Sequence, residues 1–289
     1  MPVFSLNYNQ QATTASKALK QNESALQTAV QRLSTGKKFN APSDGPASFS
    51  LLSKMGSDIL IGQQGVVNAQ NGTSMLDTAD AALANIEKIF TDIGVLAEDA
   101  ANGIWNDEQR AVFDSQAKSL LSVADNIALS TNFNGTNILT GAPGANGGTG
   151  NLQLTLQVGT SNSKQDQIKL EFSSARTATL VTGGATNTID LATADGALKS
   201  VGTVETALKN IRTQREQIGQ AQKAMEYNIS NRESMNEQLS STISNIGDAD
   251  IAQEMENYTN YTAKAQASQY MYIVSMQNPS KIAQMIQSV

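Results

Sequence analysis

The sequence predicts a mostly α fold: an elongated antiparallel coiled-coil or helical-bundle rod formed by both chain ends, with a small β-rich outer module inserted between them. Three observations carry this prediction. Leu76, Ala79, Leu83, Ile86, Phe90, Ile93, Ala97 and Ala100 advance in steps of three and four residues, the spacing of a coiled-coil seam. Val204, Leu208, Ile211, Ile218, Met225, Ile229, Leu239, Ile243 and Ile246 form a second such ladder. Between the ladders, from Asn132 to about Lys199, the apolar period changes to two and Gly, Ser, Thr and Asn accumulate. A narrow apolar stripe is stable only against another helix, so the ends are expected to close on each other.

Taken in order, Ala12, Ala15, Leu19, Leu26, Ala29 and Leu33 mark a first helix, stopped at Gly36 beside the Lys37–Lys38 pair at its negative end. Two prolines and a glycine in Asn40–Pro46 read as a turn. A long helix resumes near Ala47. Its early residues Leu52, Met55, Ile59, Gly62 and Val66 run on another phase from the Leu76 ladder, so a stutter or bend is expected around Gly62, Gly65 and Gly72. Asn102-Gly103 ends that helix. Asn106 or Asp107 is placed to cap the next, whose seam is Phe113, Ala117, Leu120, Ala124 and Ile127.

Leu152, Leu154, Leu156 and Val158 alternate with polar residues, as do Ile168, Leu170 and Phe172, so both stretches read as strands. Gly141–Gly150 and Thr177–Asp195 read as long loops. The 201–246 ladder spans roughly 70 Å at ~1.5 Å per residue. Arg215, Gln222, Arg232 and Asn236 fall on its seam, where polar residues fix register. A last segment from Asp250 to Gln277 carries Ile251, Met255, Tyr258, Ala265 and Tyr272, and Pro279 is expected to break it before a short terminal helix. The ends are matched in charge: Lys17, Lys20, Arg32, Lys37 and Lys38 against Asp248, Asp250, Glu254 and Glu256. Surface pairs of this kind select orientation more than they supply affinity. The rod seam is therefore expected at Leu76, Leu83, Ile86, Phe90, Ile93, Leu208, Ile211, Ile218, Ile229 and Leu239.

Composition removes whole classes of chemistry. The 289 residues contain no histidine and no cysteine, which excludes the usual zinc sites, cysteine nucleophiles, Ser-His-Asp triads and disulfides. A net charge of −6 argues against nucleic-acid phosphates as partners, and 5% aromatic content argues against stacking platforms. No apolar run approaches the ~18 residues of a bilayer span, and no basic region followed by an apolar stretch opens the chain, so neither membrane insertion nor a cleaved signal peptide is expected. Gly141, Gly144, Gly147, Gly148 and Gly150 lack the flanking strand, helix and Lys-Ser/Thr of a phosphate loop and read as a flexible loop. Asp248, Asp250, Glu254 and Glu256 lack a glycine-turned calcium loop and read as an acidic face. Sequons at Asn257 and Asn260 sit in a helical stretch. Ser and Thr hydroxyls of the 140–199 module are better candidates for O-linked sugars.

Several stretches resemble bacterial flagellin, the subunit of the flagellar filament. RLSTG at Arg32–Gly36, then KFNA at Lys38–Ala41 and Ser43-Asp44, is similar to the family's "RLSSGxRINSAxDD" block. Leu96-Ala97 with Ala101–Gly103 resembles "ELAVQSANG", and NFNGTNIL at Asn132–Leu139 resembles "QFNGxxLL". LQVG at Leu156–Gly159 with Gln167-Ile168 resembles "QVGANxGQTI". IRTQR at Ile211–Arg215 with Ile218-Gly219 and Gln222 is similar to "VxxxRAxLGAxQ", and DADIA at Asp248–Ala252 and QNP at Gln277–Pro279 match the tail motifs. The resemblance covers about the first 140 and last 90 residues. The chain departs from the family at Asp44-Gly45, at Gly247 where an Arg precedes "DADxA", and at its last residues Met285–Val289.

The resemblance implies an inner domain of 1–40 and 250–289, a helical rod of 41–140 and 200–249, and a β-rich outer module of 141–199. It implies a structural, non-enzymatic subunit that self-assembles into the hollow helical filament used for motility. Leu19, Leu26, Leu33, Met255, Tyr258, Tyr272, Ile282 and Met285 would make filament-core contacts. Implied partners are further copies of the chain, capping and hook-junction proteins, and an export chaperone on the C-terminal helix, with no cofactor. The subunit would leave the cell unfolded by type III export through the filament's own channel and reside in the extracellular flagellum. Where many flagellins read "LQRVREL" for an innate immune receptor, this chain has Asp92, Gly94 and Val95 in place of Arg, Arg and Glu, so weak or absent receptor stimulation is expected. The alternatives are a hook–filament junction protein, favoured by Pro42–Pro46, and a flagellin-like surface adhesin using the outer module, weakened by the scarcity of aromatics there.

Overall fold

The computed structural model describes residues 10–141, 151–182 and 189–287, with side chains placed for all of these except 182 and 278–287. The elements run α1 (Gln10–Thr35), α2 (Pro46–Ala101), α3 (Asp107–Ser130), β1 (Asn132–Phe133), β2 (Thr136–Asn137), β3 (Leu152–Gln157), β4 (Gln167–Phe172), α4 (Thr177–Thr182), α5 (Ala194–Gly247) and α6 (Ile251–Gln287). They divide into two compact units, Met1–Ser57 with Gln238–Val289, and Asp58–Glu237. The fold is mostly α with a small β region, as the periodicities predict.

In the unit Asp58–Glu237, α2 and α5 run antiparallel. Asp80 and Glu87 of α2 bond Arg215, Asp77 bonds Gln222, and a Cβ at Gly94 would touch Val204. The apolar ladders of both helices meet in one core with α3, β3 and β4. Capping sets the start of α3: Asn106 Oδ1 accepts from the Gln109 N–H (2.9 Å) and Gln109 Oε1 accepts from the Asn106 N–H (3.2 Å), a reciprocal capping box. Its buried face is Ala117, Ala124 and Ala128, small side chains that let the neighbouring backbone approach. Just past α3, Asn134 (φ 50°) and Gly135 (φ 78°) turn β1 into β2 through a two-residue hairpin, the conformation that an Asn-Gly step adopts most readily.

The β3–β4 hairpin is antiparallel in the register Leu152↔Phe172 to Gln157↔Gln167. α2 is helical without interruption from Pro46 to Ala101. Gly62, Gly65 and Gly72 mark sites of close approach along it. A Cβ at Gly65 would strike the Val158 carbonyl oxygen, one at Gly72 would strike Leu156, and one at Gly62 would lie 2.5 Å from Asn236 Oδ1. At Gly65 and Gly72 hairpin and helix pack where α2 has no side chain, and at Gly62 the neighbour is α5.

Two corrections concern elements. The Thr177–Asp195 stretch, expected to be a loop, contains α4, whose first turn is capped from α3: Asp125 accepts from the Thr177 N–H (2.8 Å) and hydroxyl (2.7 Å). Pro279, expected to break the last helix, lies inside α6, which continues to Gln287. A proline removes one main-chain hydrogen bond but does not by itself end a helix. Residues 142–150 of the glycine-rich loop lie outside the described residues.

Candidate functional site

The terminal unit is built around α1 and α6. Gly36, at φ 67°, is the left-handed residue that ends α1, its N–H donating to the Arg32 carbonyl (2.8 Å). The chain then forms an antiparallel bridge, Lys37 with Asp248. The Lys38 N–H donates to the Gly247 carbonyl (2.7 Å) and the Ala249 N–H to the Gly36 carbonyl (2.8 Å). Asp250 starts α6 by accepting from the Ala252 and Gln253 N–H groups at 2.9 and 3.2 Å. Asp44 accepts from the Asn40 and Ala41 N–H groups, which hold its carboxyl below the ordinary carboxylate range and fix the turn between α1 and α2.

The pairing of α1 with α6 is polar for a helix seam. Glu254 and Ser275 are buried on α6, and Asn257, Tyr261, Ala265, Ser268 and Tyr272 are half-buried. On α1, Ala12 and Ala29 are buried, while Leu19, Leu26 and Leu33 are half-buried. Asn22 donates to Ser268 Oγ (2.7 Å), and Arg32 donates to Glu254 Oε1 (3.2 Å). Of the charge match read from sequence, this Arg32–Glu254 contact is the one ion pair between the two ends among the described residues.

Most of the large apolar residues of α6 instead face solvent. Ile251, Met255, Tyr258, Ile273 and Val274 are exposed, and Tyr270, Met271 and Met276 reach 76%, 67% and 56%. Met255 and Tyr258 are 51% and 38% exposed, and Tyr272 is half-buried. Ile282 and Met285 lie beyond the described side chains. Near the start of α1 the pair leaves an open groove of about 720 Å³, lined by Ala15 and Ala18 with Met271 and Val274.

The rod-seam residues sit elsewhere. Leu76, Leu83, Ile86, Phe90, Ile93 and Ile211 are at most 2% exposed and Ile218 is buried, while Leu208 and Ile229 pack half-buried against the same core. Leu239 is half-buried in the terminal unit. Polar seam residues find partners that sequence spacing did not name. Arg215 reaches Asp80 (2.8 and 3.3 Å) and Glu87 (2.8 Å), and Arg212 reaches Glu87 (2.9 Å). Hydrogen bonds from Arg212 and then Arg215 hold Glu87 below its ordinary range, and Asp80 and Glu87 push Arg215 up. Arg232 donates to Asp166 (2.6 Å), whose carboxylate also accepts from the Ser161 hydroxyl and N–H and is held low chiefly by the Ser161 hydroxyl. That cluster ties the β3–β4 loop to α5. Asp92 and Val95 are exposed, and Gly94 is half-buried.

This arrangement suits assembly more than chemistry. Among the described residues no group of three or more His, Cys, Asp or Glu is arranged to hold a metal, and no helix is long and apolar enough to cross a membrane. The chain is 31% identical over 261 residues to flagellin FlaB1 of Treponema pallidum, covering 88% of this chain and 90% of that one. It is 29% identical over 270 residues to the flagellar filament 31.3 kDa core protein of Treponema maltophilum (92% and 94% covered). It is 27% identical over 282 residues to flagellin of Listeria monocytogenes (93% and 95% covered). The family model of the bacterial flagellin N-terminal helical region matches residues 6–143, and that of the C-terminal helical region matches 201–288. With both helical regions matched in order around an unmatched middle, the chain belongs to the bacterial flagellin family.

Proposed function

We infer that this chain is a structural subunit of the bacterial flagellar filament and polymerises with many copies of itself outside the cell. The observation that carries the reading is two exposed apolar clusters on α6, Ile251, Met255 and Tyr258 near its start and Tyr270, Met271, Ile273, Val274 and Met276 towards its end, beside a polar α1–α6 seam. Apolar clusters of this kind left in water mark surfaces that another surface covers. The family supplies the occupant, further copies of the same chain.

In this reading 1–40 and 250–289 form the inner domain, 41–140 and 200–249 the rod, and 141–199 the outer module. Supporting the division, α1 and α6 pair with each other and the Lys37–Asp248 bridge closes that pair at its base. Leu19, Leu26, Leu33, Met255, Tyr258, Tyr272, Ile282 and Met285 make core contacts, and the role is mechanical, not catalytic. Cap and hook-junction proteins, an export chaperone on α6, O-glycans on the outer module and export without a cleaved signal belong to the same reading. So does weak stimulation of the innate immune receptor through Asp92, Gly94 and Val95, which a receptor reporter assay measures against an enteric flagellin.

The test is electron microscopy of the purified chain after salting-out with short filament seeds. Long tubes of uniform diameter are expected from the full chain and none from chains lacking 1–20 or 270–289, which should stay soluble with their rods folded. Normal filaments from either truncation overturn the reading.

A further inference from the structure

We propose that Met255, Met271 and Met276 of α6 are peroxide modification sites whose conversion to sulfoxide switches off self-assembly. The proposal rests on the subunit reading above. The chain has no cysteine, so methionine is its only sulfur-bearing side chain. Burial sorts these thioethers sharply. Met225 is 0% exposed and Met75 6%, inside the core of the unit Asp58–Glu237, whereas Met255, Met271 and Met276 are 51%, 67% and 56% exposed. Met271 also lines the apolar groove with Ala15, Ala18 and Val274. Met255 is thus among the residues assigned to subunit contact, and Met271 and Met276 lie in the exposed apolar cluster towards the end of the same helix.

The chemistry is a two-electron oxygen transfer. A sulfur lone pair attacks the distal oxygen of hydrogen peroxide, the O–O bond breaks as the S–O bond forms, and the departing hydroxide takes the remaining proton to leave as water. The sulfur is oxidised and the peroxide reduced. The product replaces a flexible apolar side chain with a polar, chiral one. An interface that buries it must desolvate an S=O dipole with no donor in place. Packing in a filament shields the same sulfurs, so peroxide acts on unassembled subunits and spares polymer.

The experiment treats full-length chain with hydrogen peroxide, maps each methionine by peptide mass spectrometry, and follows seeded polymerisation by light scattering. A Met255→Leu/Met271→Leu/Met276→Leu variant runs in parallel, since Met-to-Leu exchange conserves volume. Met235, 46% exposed in the other unit, is retained in that variant as an internal oxidation control. The three α6 methionines are expected to oxidise at least about tenfold faster than Met75 and Met225 in free subunits, and to be protected in filaments. Relative to its own untreated rate, assembly of oxidised chain should fall about tenfold and recover with methionine sulfoxide reductase, whereas the oxidised Leu variant should change less than about twofold from the untreated Leu variant. Undiminished assembly of a chain carrying all three sulfoxides overturns the proposal, as does an equal loss in the Leu variant. Failure of untreated chain to polymerise overturns the subunit reading and the proposal with it.

Discussion

In the unit Asp58–Glu237 the helix seam is withdrawn from water almost completely: Leu83, Ile86, Phe90, Ile93 and Ile211 are all 0% exposed. In the terminal pair, Ala12 and Ala29 are the only apolar side chains buried among the described residues, and most of the large ones on α6 are exposed. Both regions are antiparallel helix pairings from one chain. One encloses its own core, held in register by Arg215 and Arg212 on Asp80 and Glu87. The other spends polar groups such as Asn22, Ser268, Arg32 and Glu254 on its internal seam and keeps its apolar area for something else. The contrast separates a pairing that covers its own apolar seam from one that leaves large apolar side chains in water.

Substitutions test that contrast, beginning with the strongest. Phe90→Ala opens a cavity in the closed core and should lower unfolding free energy by ~3–5 kcal/mol in a denaturant titration. A loss below about 1 kcal/mol would mean the seam is not the core it resembles. Gly65→Val drives a side chain against the Val158 carbonyl and should destabilise by ~1–3 kcal/mol, with hydrogen exchange quickening first in β3 and β4. Arg215→Ala should lose only ~1 kcal/mol at pH 7, because the guanidinium is about a third exposed.

The Arg215 effect has a pH signature. Glu87 has a folded pKa below its ordinary 4.5, so its pairing stabilises fully above that value and is lost as pH falls through the folded one. The wild-type melting temperature should therefore drop more steeply than the variant's on acidification below pH 4.5, as calorimetry would show. Tyr270→Ser makes the smallest change to the monomer. At 76% exposure it should leave stability within ~0.5 kcal/mol while sharply slowing seeded polymerisation. A variant that destabilised the monomer instead would place Tyr270 in an intramolecular contact and erase the contrast.

Much of the closed region was legible in the sequence because burial there follows period: Leu76 to Ala100 and Val204 to Met225 land in the core they predict. Strands β3 and β4 were legible for the same reason. What escaped depends on tertiary partners. Gly62, Gly65 and Gly72 read as a weak point in α2 because nothing local reveals Asn236 of α5 against the first or the β3–β4 hairpin over the other two. Asp125 capping α4, and Asp166 held by Arg232, join residues 52 and 66 positions apart. On α6 the residues buried deepest are Glu254 and Ser275, which an apolar ladder does not count, while Tyr261, Ala265 and Tyr272 are half-buried beside them.

The short bridge between Lys37 and Asp248 ties the chain into a loop, with everything from α2 to α5 strung between two fixed points. Loop-closure entropy rises only logarithmically, about 0.6 kcal/mol for each doubling of the enclosed length. The stretch between β2 and α5 can thus be lengthened, shortened or replaced with little penalty at the bridge. A chain closed in this way can change its middle without disturbing the contact that holds its ends.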